Sequence, residues 1–211
     1  MNAQTQPKTV RKSQADRARD TRTLLCRATL EVITEVGYQN TTTTLIAKRA
    51  GVSRGAQTHH FPTKHSLVCA AFEYVLQEWE QSRQSFAKAH TTAPIRLRAF
   101  VEHLWRYYFD QSHYLAVLDM LLASRGDEAL RRDLAELIAQ MSDQRRQLWR
   151  AALGQSVPEA ELEVIMTMSS SFLRGYATQA MIEDSDTSAE DMIAMWTAFL
   201  EHRLGQGTAD R

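Results

Sequence analysis

The sequence predicts an all-α fold of about nine helices, and three observations carry that prediction. Apolar residues recur at steps of three and four along most of the chain, the period of a helix with one buried face. No segment shows the period-two alternation of a half-buried strand. The gaps between periodic segments carry helix punctuation: Ser/Thr caps, Gly37, Gly154, Pro62 and Pro94. With 211 residues and 44% apolar content, the chain can bury a sizeable core. No run approaches the ~18 apolar residues of a membrane span. Met1 to Arg19 lack the apolar stretch of a secretory signal, so a cytoplasmic location is expected.

Residues 1–15, rich in Gln, Thr, Lys and Arg, are expected to form a flexible basic arm. A first helix should span about Asp16 to Val36. Leu25, Ala28, Val32 and Val36 make its apolar stripe, Arg27 and Glu31 an outer i,i+4 pair, and Gly37 its stop. Two short helices follow, about Thr43 to Ala50 and Ser53 to His60. Pro62 breaks the chain, and Thr63 caps a fourth helix from about Lys64 to His90. That helix is too long for a three-helix head and should connect head to body. Pro94 opens a fifth helix reaching about Phe109. A sixth covers Ser112 to Ala123, and a seventh runs from Asp127 to Leu153, closed by Gly154. Ser156-Val157-Pro158-Glu159 and Thr187-Ser188-Ala189-Glu190 have the form of capping boxes. They precede an eighth helix, to about Ile182, and a ninth, ending near Leu204. The expected division is arm 1–15, a compact helical head 16–63, and a helical body 64–211.

The two short helices are the most specific feature. Gly51 suits the bend between them, because glycine takes φ > 0 at little cost. Ala47 is small enough for the helices to cross closely, and Ile46, Ala50 and Val52 give the pair an apolar inner face. This is helix-turn-helix geometry, which lays its second helix in the DNA major groove. Charge supports it. Residues 1–65 hold 11 Lys/Arg against 4 Asp/Glu, and residues 66–211 hold 14 against 21, so zero net charge hides a basic head on an acidic body.

Flanking residues extend the pattern. Thr21-Arg22-Thr23-Leu24-Leu25, Gly37-Tyr38, the Thr41–Thr44 run, Ile46-Ala47-Lys48-Arg49-Ala50-Gly51-Val52-Ser53 and His60-Phe61-Pro62-Thr63-Lys64 together resemble the TetR family of bacterial transcription regulators. The resemblance covers roughly a quarter of the chain. It implies a DNA-binding head and a divergent helical body that dimerises and usually binds a small molecule. It also implies phosphate contacts from Thr44 and Lys64. Two positions depart from the family, which commonly has a bulky apolar residue and then a phosphate-touching Tyr where Gln57 and Thr58 stand. The Tyr contact is lost here or moved to His59. Gln57 can pair bidentately with adenine or sit at the packed edge of the helix pair, and the packed edge is the preferred reading.

The candidate DNA-contacting set is Thr43, Thr44, Ser53, Arg54, Gly55, Gln57, Thr58, His59 and Lys64. Thr43 and Thr44 open a helix, where free N–H groups suit a phosphate. Arg54 can reach a guanine or a phosphate. Gly55 permits close approach. Adjacent His59 and His60 point about 100° apart on a helix and cannot easily share one ion, so no metal is expected. Cys26 and Cys69 are expected to be free core thiols.

In the body, His103, Trp105, Tyr108, Met120, Met141, Phe172 and Tyr176 are candidate pocket residues, because ligand pockets are largely apolar with a few placed polar groups. Asp119, Gln140, Arg174 and Gln179 are further polar candidates. Leu162, Ile165, Ser169, Phe172, Met192, Trp196 and Phe199 follow helical stripes on the last two helices. They are the expected homodimer interface, a four-helix contact across a two-fold axis. The expected function is a ligand-responsive repressor, a homodimer on a near-palindromic double-stranded operator, with an apolar or aromatic effector, no cofactor and no membrane. The alternative is a helical interaction module, or an activator without repressor function. No phosphate loop, Gly-x-Ser-x-Gly elbow or His-Glu-x-x-His motif occurs, so no enzyme is expected.

Overall fold

The computed structural model describes residues 13–90, 96–109, 112–182 and 188–206. Among these residues there are ten α-helices and no strand. They are α1 (Gln14–Asn40), α2 (Thr43–Arg49), α3 (Arg54–His60), α4 (Lys64–Ala89), α5 (Leu97–Leu104), α6 (Ser112–Ala123), α7 (Glu128–Gln140), α8 (Ser142–Leu153), α9 (Glu159–Gln179) and α10 (Ala189–Gln206). A π-helical turn, Trp105–Phe109, follows α5, and a 3-10 turn, Ser124–Gly126, follows α6.

The N-terminal third obeys its local signals. Gly37 and Gly51 take φ of +78° and +66°, the left-handed region where the sequence asks for stops. Thr42 caps α2 and Ser53 caps α3, accepting the Leu45 and Ala56 N–H groups at 3.2 and 3.1 Å. Thr63 and Ser66 form a reciprocal capping box on α4. α1 starts two residues before its expected origin, because Ser13 accepts the Asp16 N–H at 3.0 Å. Residues 1–12 of the basic arm lie outside the described residues. Glu31 pairs with Arg49 of α2 at 3.3 Å rather than with Arg27.

The body departs further. The expected seventh helix is two, broken at Met141 (φ −96°, ψ 0°). Two cores explain the break. The first gathers Leu25, Leu30 and Ile33 of α1, Ile46 of α2, Phe72 of α4, Met120 of α6 and Leu130 and Leu134 of α7. The second gathers Phe100 and Val101 of α5, Tyr108, Leu148 and Trp149 of α8, Leu162 of α9 and Ile193 and Leu200 of α10. A straight helix from Asp127 to Leu153 could not serve both, so the chain turns at Met141 and each half packs on its own core. α4 is the shared element, with Leu67 to Leu76 in the first core and Phe86 against the second, and Trp79 touches both.

Two expected capping boxes resolve differently. Ser156 does not cap α9; Pro158 is the N-cap residue and makes no side-chain cap bond. The Glu159 carboxylate that would complete the box is held by Arg146 at 2.7 Å and by Arg150. At α10, Ser188 accepts the Asp191 N–H at 3.1 Å, while Thr187 lies outside the described residues. Pro94 also lies outside them, and α5 begins at Leu97. Among the described residues, no helix is long and apolar enough to cross a membrane.

Candidate nucleic-acid interface and body cavity

The helix pair is fixed to α1 from both sides. Buried Ile46 and Ala47 face α1, and Ala50 and Val52 pack on the same core. Arg49 donates to Glu35 at 2.7 Å on one oxygen and more closely on the other, and that hydrogen bond holds the Glu35 carboxyl below its usual range. Arg22 of α1 lies over the Phe61 ring, 4.5 Å from its centroid. Locked this way, α3 turns Arg54, Gly55, Thr58 and His59 outward, with Ser53 at its start. Thr44 is exposed and Thr43 half-buried at the start of α2. Arg54 has no carboxylate partner among the described residues. A Cβ on Gly55 would meet only Ser53 Oγ, at 3.9 Å, so no internal packing demands a glycine there.

Two members of the predicted contact set stand elsewhere. Gln57 is buried, and its Nε2 donates to the Phe61 carbonyl at 2.6 Å. It closes the C-terminal turn of α3 from inside and offers no donor or acceptor to a base edge. Lys64 is half-buried rather than free. Its Nζ donates to the Tyr38 carbonyl at 2.6 Å and sits 4.2 Å from the Tyr38 ring centroid. Burial lowers its pKa, and Asp119 opposes that shift. Asp119 also accepts the Tyr38 N–H. The Tyr38 peptide therefore ties together α1, α4 and α6. Asp119 thus clasps head to body, and it also lines a small pocket with Gly37, Leu115 and Leu118.

The body holds an apolar cavity of about 150 Å³. Phe72, Trp79 and Arg83 of α4 form one wall, and Tyr108 and Phe109 of the π-helical turn a second. Tyr114 and Val117 of α6, Met141, Arg145 and Trp149 near α8, and Ser170 and Arg174 of α9 close it. A π-helical turn inserts one residue into the helical register, which re-aims the side chains that follow. Here Tyr108 and Phe109 end on the cavity, and the Tyr108 hydroxyl donates to the Trp79 carbonyl at 3.3 Å. Burial pushes that phenol up to about 12.

Of the predicted pocket residues, Tyr108 and Met141 line this cavity. Met120 is fully buried in the first core. Trp105 and Tyr176 pack on each other at 5.2 Å, and Phe172 stacks on Trp196 at 5.7 Å. His103 belongs to an open groove of about 730 Å³ across α4, beside Phe86, Tyr107 and Ser82. Burial first, and then the charge of Arg106, hold its pKa down at about 4. The cavity's arginines were weakly signalled in the sequence. Arg83, Arg145 and Arg174 are spaced too widely for any local pattern, and only Arg174 stands out, as a charge on a helix rich in apolar residues.

The predicted dimer stripe also divides. Leu162, Ile165 and Ser169 are buried against the chain's own second core and cannot meet a partner. Trp196 is half-buried, donating from Nε1 to Ser169 Oγ at 2.9 Å, and Met192 is half-buried. Phe199 is 55% exposed, and Val164, Met168 and Met195 are 55%, 49% and 78% exposed. The large apolar residues that α9 and α10 leave exposed are therefore Val164 and Met168 on α9 and Met195 and Phe199 on α10.

One cluster escaped the sequence reading. His65 and Cys69, four apart on α4, meet Asp133 of α7, with ligand atoms within 4.8 Å of one another. His65 Nε2 and Asp133 Oδ2 are 2.7 Å apart. Burial raises the Cys69 thiol to about 11, with Asp133 adding to the shift. These residue types can hold a divalent ion. The i,i+4 spacing was visible in sequence, but Asp133 comes from a distant helix.

Residues 25–71 match the model of a family described as bacterial regulatory proteins, tetR family. The chain is 30% identical over 173 residues to the HTH-type transcriptional regulator CymR of Pseudomonas putida, a match covering 81% of this chain and 84% of that protein. Its fold is similar to that of a transcriptional regulator from Rhodococcus sp. Rha1, with a TM-score of 0.68 at 20% identity over 88% of this chain and 96% of the other. It is also similar to the fatty acid degradation regulator FadR of Bacillus halodurans, with a TM-score of 0.67 at 16% identity over 90% and 96%.

Proposed function

Because the chain belongs to the tetR family of bacterial regulatory proteins, we propose that it is a cytoplasmic, ligand-responsive repressor that binds a near-palindromic operator as a homodimer. The observation that carries this reading is the outward face of α3, with Ser53, Arg54, Gly55, Thr58 and His59 presented by a head braced against α1 and α4. Residues 16–63 act as the DNA-binding unit. Arg54 reads a base edge or holds a phosphate, Thr43 and Thr44 offer a phosphate the start of α2, and Lys64 adds a charge-assisted contact. An ammonium has three donors, so the bond to the Tyr38 carbonyl leaves Lys64 capacity for a phosphate.

The outward apolar face of α9 and α10 serves as the dimer interface, which sets two copies of α3 one helical turn apart on DNA. The body cavity takes the effector. It borders α4, the helix whose first residue meets the Tyr38 clasp, so filling it pushes on the element that positions the head. For such a ligand to release DNA, it must prefer the conformation that fits the operator poorly.

The reading is tested by selecting duplexes from a random pool with the purified protein, then titrating the winner in a gel-shift assay. A two-fold related sequence bound as a dimer supports it. Failure to enrich any sequence sinks it.

A further inference from the structure

We propose that the effector of the body cavity is a small organic carboxylate, with one ring or a short chain inside and its charged end taken by Arg145 and Arg174. This inference rests on the regulator reading above and names the ligand class of its effector site. Arg83, the buried arginine of the cavity, is already engaged. It pairs with Glu80 one turn away at 2.6 Å and donates to Met141 Sδ at 3.7 Å. Arg145 and Arg174 have no carboxylate partner among the described residues. Glu163, the acid that acts on Arg145, is bound to Arg146 at 2.9 Å. Both arginines line the cavity and keep a solvent-facing side, Arg145 being the more enclosed at its charged end. Burial first, and then like charge from Arg83, Arg146 and Arg174 against the opposing Glu163, disfavour the charged form of Arg145, and an anion beside it would offset that repulsion.

Tyr114 gives a second and independent pointer. It lines the cavity, is 4% exposed, and its hydroxyl has no hydrogen-bond partner within bonding geometry among the described residues. The Thr178 hydroxyl, its polar neighbour, acts on the Tyr114 phenol but donates its own proton to the Arg174 carbonyl at 2.8 Å. A buried unpaired hydroxyl is costly, and an arriving acceptor repairs it. A carboxylate satisfies the hydroxyl and both guanidinium groups, whereas an ammonium would meet repulsion. Size narrows the class. The volume is about 150 Å³, and an engineered apolar cavity of about 150 Å³ holds a single benzene.

The test uses the full-length protein without DNA, reading tryptophan emission because Trp79 and Trp149 line the cavity. The probes are 4-methylbenzoate and hexanoate, their neutral amides, and 4-methylbenzylamine. The carboxylates should bind about tenfold or more tighter than the amides, and the amine should not saturate. Arg145→Ala and Arg174→Ala should each weaken carboxylate binding about tenfold and leave the amides unmoved. Equal affinity for acids and amides overturns the proposal, as does the absence of saturable carboxylate binding, or an unchanged affinity in both arginine variants. Operator binding is measured separately, without ligand. A protein that takes carboxylates and retards no DNA keeps the ligand class and loses the regulator reading. A protein that retards DNA and takes no carboxylate does the reverse.

Discussion

The head and the cavity are built on opposite plans. In the head, residues 37–64 fix their own geometry: each glycine, cap and apolar contact acts over a few residues, and α1 only braces the result. In the cavity, α4, a π-helical turn, α6, α7, α8 and α9 all contribute, and the lining runs from Phe72 to Arg174 in the chain. A surface that meets an unchanging partner, the DNA backbone, can be set by a short local motif. A cavity assembled from distant helices can change its lining residue by residue without touching that motif.

The sharpest break of the comparison is at the outward face of α9 and α10. Met195→Glu or Phe199→Glu places a charge in the proposed dimer contact without burying it inside the protomer. Either variant should be a folded monomer by light scattering. Its operator affinity should fall by orders of magnitude, because the two half-sites are no longer held together. A stable dimer in both variants would move the interface elsewhere. Phe172→Glu is a poorer test, because Phe172 stacks on Trp196 inside the protomer.

The head should respond more locally. Arg54→Ala should weaken operator binding and relax the preference at one base pair if Arg54 reads an edge, at a cost of about 1–3 kcal/mol. Lys64→Ala should weaken binding uniformly across sequences and lower the salt slope by roughly 1. It also frees the Tyr38 carbonyl and so costs some stability, about 1 kcal/mol. Unchanged affinity and salt slope in Lys64→Ala would remove it from the phosphate list.

Legibility followed the same division. Thr42, Ser53, Thr63, Gly37 and Gly51 signal their structure within four residues, and the head follows them closely. The break at Met141 was hidden because both flanking stripes are helical, and only the second core shows that they need different directions. Leu162, Ile165 and Ser169 were indistinguishable in sequence from an interface, since a helical stripe does not say which neighbour it meets. The Tyr38 clasp, the Asp133 cluster and the cavity arginines all join positions far apart in the chain, where no period or motif operates.

The groove beside the cavity offers a pH test. His103 packs 4.4 Å from Phe86 and 4.6 Å from Tyr107, ring to ring, and its folded pKa is about 4 against an ordinary 6.5. The unfolded chain therefore binds the extra proton first. Its stability contribution is complete above about pH 6.5 and is lost as pH falls toward 4, by at most about 3 kcal/mol. His103→Phe should flatten the pH dependence of Tm in that window. An unchanged slope would mean that His103 does not set it.

The smallest effect is expected at Gln57, where the head departs from its own rule of outward polar residues. An apolar residue at the packed edge of a helix pair should be tolerated, so by composition alone Gln57→Leu looks stabilising. The Nε2 bond to the Phe61 carbonyl changes the sign. Leucine keeps the volume and the burial but leaves that carbonyl without its side-chain donor at the end of α3. Losing one such bond costs about 1 kcal/mol, offset in part by the apolar surface gained. For a chain of this length 1 kcal/mol moves Tm by about 2–4 °C, so the variant should melt slightly lower. Base preference should not change, because the side chain points inward. A binding-site selection that shows one altered position in each half-site, at unchanged Tm, would put Gln57 back on the DNA face and show that α3 rolls on binding.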